Sequence, residues 1–261
     1  MKRTGKELKT LAKQALLGHY GTVVGSILVS YLLLMATAIP VLLIFVLASF
    51  FRVGPHSGIL LPIGMVVWYL IVLVVSSLLM AGFARICYLI CTGQGGEVGN
   101  VTYAFSHRPF RFVGLTLLLI LLYLVAAVPG IALMIFAMHS KMWGEAAGVL
   151  LYLAGYLLAV LLSMTAFLRY SLVLFVLIED QQKTVSECIW ISRDLMEGNR
   201  MRLFKLELSF IGMFLLGYLS FGLGFLWILP YLICTNIFFY LSVKEEKYPP
   251  VRNNYENEFW G

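Results

Sequence analysis

Long uncharged runs alternate with short charged ones along this 261-residue chain. Residues 21–51, 59–84 and 113–137 carry no charge, 148–178 is interrupted only by Arg169, and 208–243 is uncharged over 36 residues. A helix needs about 20 apolar residues to cross a hydrocarbon core of about 30 Å. The last run is too long for one crossing and suits two short ones, with a turn expected at Ser220–Gly224, where two glycines fall together. The pattern predicts an all-α polytopic membrane helical bundle with six transmembrane helices. The spans are expected at about 21–51, 59–91, 113–137, 148–178, 201–220 and 225–243. Pro40 would kink or end the first. Together they form a single transmembrane domain over residues 1–243, followed by a cytoplasmic tail, 244–261, with an aromatic stretch Tyr255–Trp260 suited to an interface. Five crossings is the alternative, if 208–243 is one tilted helix.

Two further segments have helical period but an apolar face on one side only. In residues 4–18, Leu8, Leu11, Ala12, Ala15 and Leu16 share a face opposite Lys6, Lys9 and Lys13, which fits an amphipathic helix at the membrane interface. In 184–198, Thr184 and Glu187 form a capping-box pattern, Val185, Cys188, Ile189, Ser192, Leu195 and Met196 share a face, and Gly198 supplies a stop. Leu16–His19 aligns with Met196–Asn199 at an offset of 180 residues. Midway lies a short amphipathic piece, Asn100–Phe105, followed by Pro109. The chain therefore reads as three parallel repeats of about 90 residues, each an interfacial helix and two membrane helices.

Composition agrees: 61% of residues are hydrophobic and 12% charged, against roughly 45–50% and 25% in soluble domains. A soluble globule, a disordered chain and a disulfide scaffold are all excluded. The net charge of +6 is sorted by position. Seventeen of the nineteen Lys and Arg fall at the N-terminus, in alternate loops and in the tail, leaving Arg52 and Lys141 opposite. This places both termini in the cytoplasm and points to anionic headgroups of the cell membrane, with no nucleic acid as partner. The basic N-terminal stretch lacks a short apolar run with a cleavage site, so it is not a signal peptide.

The candidate chemistry is sparse. Cys87 and Cys91 are one helical turn apart without a neighbouring His, which suits packing rather than metal binding. His19, His56, His107 and His139 are isolated, and no phosphate loop, zinc motif or nucleophile elbow occurs. No cofactor and no enzymatic activity are expected. Arg85 and Arg169 stand out: each lies some 8–10 residues inside a span, roughly 12–15 Å deep at about 1.5 Å per residue. Asn236 lies at a comparable depth in the last span, and Lys205 and Glu207 enter the fifth. A buried charge costs several kcal/mol unless it is paired, hydrated or able to snorkel. Two readings follow. The arginines are helix-end anchors reaching headgroups, or Arg85, Arg169 and Asn236 bind an anionic ligand or lipid headgroup, with Glu207 and Lys205 as counter-ion candidates.

The run from Thr184 to Tyr240 carries Ser192-Arg193-Asp194-Leu195-Met196-Glu197-Gly198-Asn199, Leu206-Glu207-Leu208-Ser209-Phe210-Ile211-Gly212, Gly222-Leu223-Gly224-Phe225-Leu226-Trp227, Pro230-Tyr231 and Phe239-Tyr240. With the N-terminal Leu8–Tyr20 segment, it resembles a family of uncharacterised six-span bacterial integral membrane proteins. That family is distantly similar to the membrane domain fused to some glycerophosphodiester phosphodiesterases. The resemblance implies a cell-membrane location and no catalytic residues. The expected functions are transport or handling of a lipid or other anionic ligand, or a non-catalytic adaptor for another membrane protein.

Overall fold

The computed structural model describes residues 3–50, 57–139, 144–180 and 182–249. The Arg52 and Lys141 loops and the 250–261 part of the expected tail, with its aromatic stretch, lie outside them. Among the described residues all regular structure is helical. The helices are α1 (Gly5–Leu16), α2 (Tyr20–Phe50), α3 (Ser57–Cys91), α4 (Tyr103–Ser106), α5 (Pro109–His139), α6 (Gly144–Tyr170), α7 (Val173–Glu179), α8 (Val185–Leu195), α9 (Arg200–Leu208), α10 (Ile211–Leu219) and α11 (Phe225–Lys247). A 3-10 turn, Val98–Thr102, precedes α4.

Five stretches among the described residues are long and apolar enough to cross a membrane: Tyr20–Val41, Ile63–Cys91, Pro109–His139, Ala147–Glu179 and Phe225–Lys247. The leg expected at 201–220 is not one continuous helix. It breaks at Ser209–Phe210 into α9 and α10, and α10, with nine residues, rises only about 13 Å. The expected span 148–178 is also divided, by a turn at Ser171–Leu172 between α6 and α7. The turn predicted at 220–224 is where α10 gives way to α11; Phe221 and Gly222 there have φ of 54° and 88°. Pro40, Pro129 and Pro230 all lie inside helices and end none of them. In apolar surroundings local adjustment and neighbouring groups can satisfy the carbonyl that a proline frees.

The core gathers around α11. Cys234, Ile237, Phe239, Tyr240 and Val243 are all but fully buried, and α11 packs against α1, α2 and α3. The apolar face of α1 is therefore not laid on lipid. Leu8, Ala12 and Leu16 are buried inside the protein, and α11 is the chief neighbour of that helix. On α8, Cys188, Ser192, Leu195 and Met196 are buried, with Val185 and Ile189 packed beside them. Helices α5 and α6 are closely apposed: a Cβ at Gly130 would lie 2.4 Å from the Ala159 nitrogen.

Three local details recur along the chain. Thr4 and Glu7 make a capping box at α1, and Thr184 and Glu187 make the same box at α8, 180 residues on. Gly18 and Gly198 have φ of 87° and 76°. Arg108, midway between them, has φ of 53° although it is not glycine. Each of these left-handed residues lies one or two positions before a new leg: α2, α5 or α9.

Candidate functional site

The two intramembrane arginines sit in different surroundings. Arg85, near the end of α3, places its guanidinium carbon 3.8 Å from the ring centroid of Tyr103 on α4. Tyr103 in turn stacks on His107, with centroids 4.2 Å apart. Arg169, at the end of α6, is held from its backbone: its carbonyl accepts the Ser192 hydroxyl of α8 at 3.2 Å. The Nε of each arginine is buried without a hydrogen-bond partner among the described residues. Cation–π contact stabilises a guanidinium but leaves its in-plane N–H groups unspent.

Asn236 and Glu207 are brought together. The Asn236 amide donates to Glu207 Oε1 at 2.8 Å, while Asn236 Oδ1 is buried without a partner. Among the described residues Glu207 makes no ion pair, so it is not the counter-ion of Arg85 or Arg169. Nor does Lys205 serve it. Lys205 is exposed and lies two positions away on the same helix, a spacing that puts side chains on opposite faces.

Arg85 and Asn236 do not converge. The thiols of Cys87 and Cys91 meet that of Cys234, so these residues mark where α3 faces α11. Arg85 is two residues before Cys87 and Asn236 two after Cys234, each about 200° round its own helix. The sequence candidates therefore occupy three places: the α3–α4 junction, the α6–α8 junction, and the α9–α11 contact. All four cysteines are free, and no group of His, Cys, Asp or Glu among the described residues could hold a metal ion.

A polar network that the sequence did not single out closes the far end of α11. Lys244 pairs with Glu179 at 2.6 Å, and Tyr240 donates to the same carboxylate. Lys247 reaches Asp194 at 2.7 Å, and the Tyr248 hydroxyl donates to the other Asp194 oxygen at 2.7 Å. These partners, Lys247 first, hold the Asp194 carboxyl below the usual range. Glu246 pairs with Arg202 at 2.9 Å, and Glu245 lies 3.7 Å from Arg3. The charged run Lys244–Lys247 reads from sequence as the start of a solvated tail; the signal was its alternation of sign opposite Glu179, Asp194 and Arg202, which only the fold juxtaposes. Lys9 is a further cation in use. It donates to the Ser209 carbonyl at 3.2 Å, lies 4.1 Å over the Phe210 ring, and so covers the α9–α10 break. Partial burial there lowers its pKa.

Between α3, α5 and α7 runs an apolar cavity of about 640 Å³, with Leu73, Ser77, Ala81, Leu115, Leu119 and Leu174 in its wall. Its wall hydroxyls are spent on their own helices: Ser76, Ser77 and Thr116 donate to the carbonyls of Leu73, Val74 and Phe112.

Among the described residues, wholly helical regular structure with five stretches long and apolar enough to cross a membrane is consistent with a multi-pass membrane protein. A family model described as a protein of unknown function (DUF975) matches residues 1–247, and the chain belongs to that family. Searches of curated proteins and of solved structures find no match to it.

Proposed function

We propose that this protein is a six-crossing cell-membrane protein, with both termini cytoplasmic, that binds an anionic ligand, foremost a lipid headgroup. Parity supports the sixth crossing. Arg3 lies 3.7 Å from Glu245, so α11 ends on the side where the chain begins. Five crossings would part those residues; α9–α10, though short and broken, is the remaining leg. The sorting of seventeen basic residues to that side supports the cytoplasmic assignment. The matched boxes and left-handed residues support three parallel units of about 90 residues. The resemblance to the membrane domain of glycerophosphodiester phosphodiesterases belongs to this same reading.

The observation that carries the ligand is the pair of unspent guanidinium nitrogens, Arg85 Nε and Arg169 Nε, each buried without a hydrogen-bond partner among the described residues. A buried donor without an acceptor costs about 1–3 kcal/mol, and a phosphate oxygen would remove that cost. Binding, not catalysis, is the role proposed. The test is thermal stabilisation by phosphatidylglycerol against phosphatidylcholine, in wild type and in the double variant Arg85→Ala/Arg169→Ala. Loss of the anionic preference in the variant is expected; unchanged stabilisation overturns the reading.

A second reading, docking of another membrane protein, is favoured by Trp190, which α8 leaves 63% exposed on its outer face. Trp190→Ala would then weaken co-purification of a partner while leaving lipid stabilisation intact.

A further inference from the structure

We propose that the groove between α3, α5 and α7 seats one acyl chain of an anionic glycerophospholipid, with its phosphate against Arg85 and Arg111. The headgroup half rests on the anion-binding reading above; the acyl-chain half stands on the groove itself. The wall is apolar, and its hydroxyls already donate to carbonyls of their own helices. No acidic residue lines it. It opens sideways towards lipid, since Tyr69, Met80 and Ile120 on its rim are 64%, 48% and 37% exposed. Its volume of about 640 Å³ falls within the roughly 300–1,000 Å³ of ligand sites.

Length and charge settle which occupant fits. The α3 wall runs from Tyr69 to Ala81, about 18 Å at a rise of about 1.5 Å per residue. One leaflet of the hydrocarbon core is about 15 Å deep. The groove is thus one leaflet long, as a single lipid chain is. Both arginines stand at the same end. Arg85 lies one helical turn beyond Ala81 on α3, and Arg111 one turn before Leu115 on α5, and residues four apart share a helix face. Tyr103 holds the face of the Arg85 guanidinium at 3.8 Å, which leaves the planar edge for the two oxygens of a phosphate. An uncharged lipid would fill the groove equally but would leave that edge unmatched.

The experiment uses the full chain in detergent, with native mass spectrometry. The probes are phosphatidylglycerol, phosphatidylcholine with the same chains, and glycerol phosphate without chains. Wild type is expected to retain phosphatidylglycerol about tenfold over phosphatidylcholine and to retain no glycerol phosphate. Two variants divide the proposal: Ser77→Trp/Leu119→Trp fills the groove, and Arg85→Gln/Arg111→Gln removes the charge. Each is expected to lower phosphatidylglycerol retention about tenfold. Should the filled variant bind as wild type while the charge variant does not, the groove is overturned and headgroup binding stands. Should both bind as wild type, both readings fall. A measurement on wild type alone guards against misfolded variants. Phosphatidylglycerol with a mid-chain diazirine should label residues 69–81 and 112–120; labelling spread over the other spans overturns the seat.

Discussion

The guanidinium of Arg202 holds the carboxylate of Glu246 through two parallel bonds, 2.9 and 3.1 Å long. The same group donates to Asn199 Oδ1 at 2.8 Å and to the Arg3 carbonyl at 3.2 Å. One side chain therefore ties α1, α9 and α11. The pair is partly buried, with side-chain exposures of 24% and 19%, so loss of one partner takes the charge-assisted bonds from the other. Glu246→Gln should cost about 1–3 kcal/mol, and Arg202→Lys nearly as much, because an ammonium cannot present the fork. Thermal unfolding in detergent reads both; a midpoint unmoved by either substitution removes this tie from the account.

Gly18 and Gly198 separate conformation from packing. Their φ values are 87° and 76°, and a Cβ at either would meet no atom within 4 Å. Gly18→Ala and Gly198→Ala should each cost about 1 kcal/mol, wholly from the left-handed backbone. Equal stability of the alanine variants, measured by thermal unfolding, would show that the turns re-form without the left-handed residue.

Gly82 is the opposite case. Its φ is ordinary, but a Cβ there would lie 2.0 Å from the Val101 carbonyl oxygen. Gly82→Ala must push the 3-10 turn off α3 and loosen the Tyr103 ring under Arg85. Hydrogen exchange should rise across residues 98–106. At Gly64, where a Cβ meets nothing within 4 Å, the same substitution should leave exchange unaltered.

The tie from Asp194 to Lys247 and Tyr248 makes the end of α11 sensitive to acid. The Asp194 pKa is lowered in the fold, chiefly by Lys247, so its contribution is whole above the ordinary value of about 3.9. It disappears as pH falls below that value through the lowered folded one. Between pH 6 and pH 2, wild type should lose more midpoint than Asp194→Asn, which begins without the ion pair. Parallel pH profiles for the two proteins would rule Asp194 out.

What could be read from the residues was whatever depends on neighbours in sequence. Uncharged runs gave the apolar helices, Thr184 and Glu187 gave a cap, and Ser220–Gly224 gave a turn. The break at Ser209–Phe210 was hidden, because no proline or glycine marks it; the cation that covers it, Lys9, comes from the other end of the chain and donates to the Ser209 carbonyl. The destination of the α1 face was hidden for the same reason. An amphipathic stripe of Leu8, Ala12 and Leu16 suits lipid or protein equally, and only the placement of α11 decides. At the candidate site, the polar residues themselves were legible but their direction was not. Arg85 and Asn236 face away from each other, which follows from the contact of Cys87 and Cys91 with Cys234.

The embrace of α1 by α11 has a consequence for synthesis. Among the described helices, the first to be made finds its chief cover in the last. Until α11 is made, Leu8, Ala12 and Leu16 lack the chief neighbour of their helix, and Arg3 and Arg202 lack Glu245 and Glu246. A chain that stops short of α11 therefore displays an apolar stripe and uncompensated cations at its start, a signature that quality-control proteases can read. Synthesis of α11 and closure of the bundle over α1 are thereby coupled.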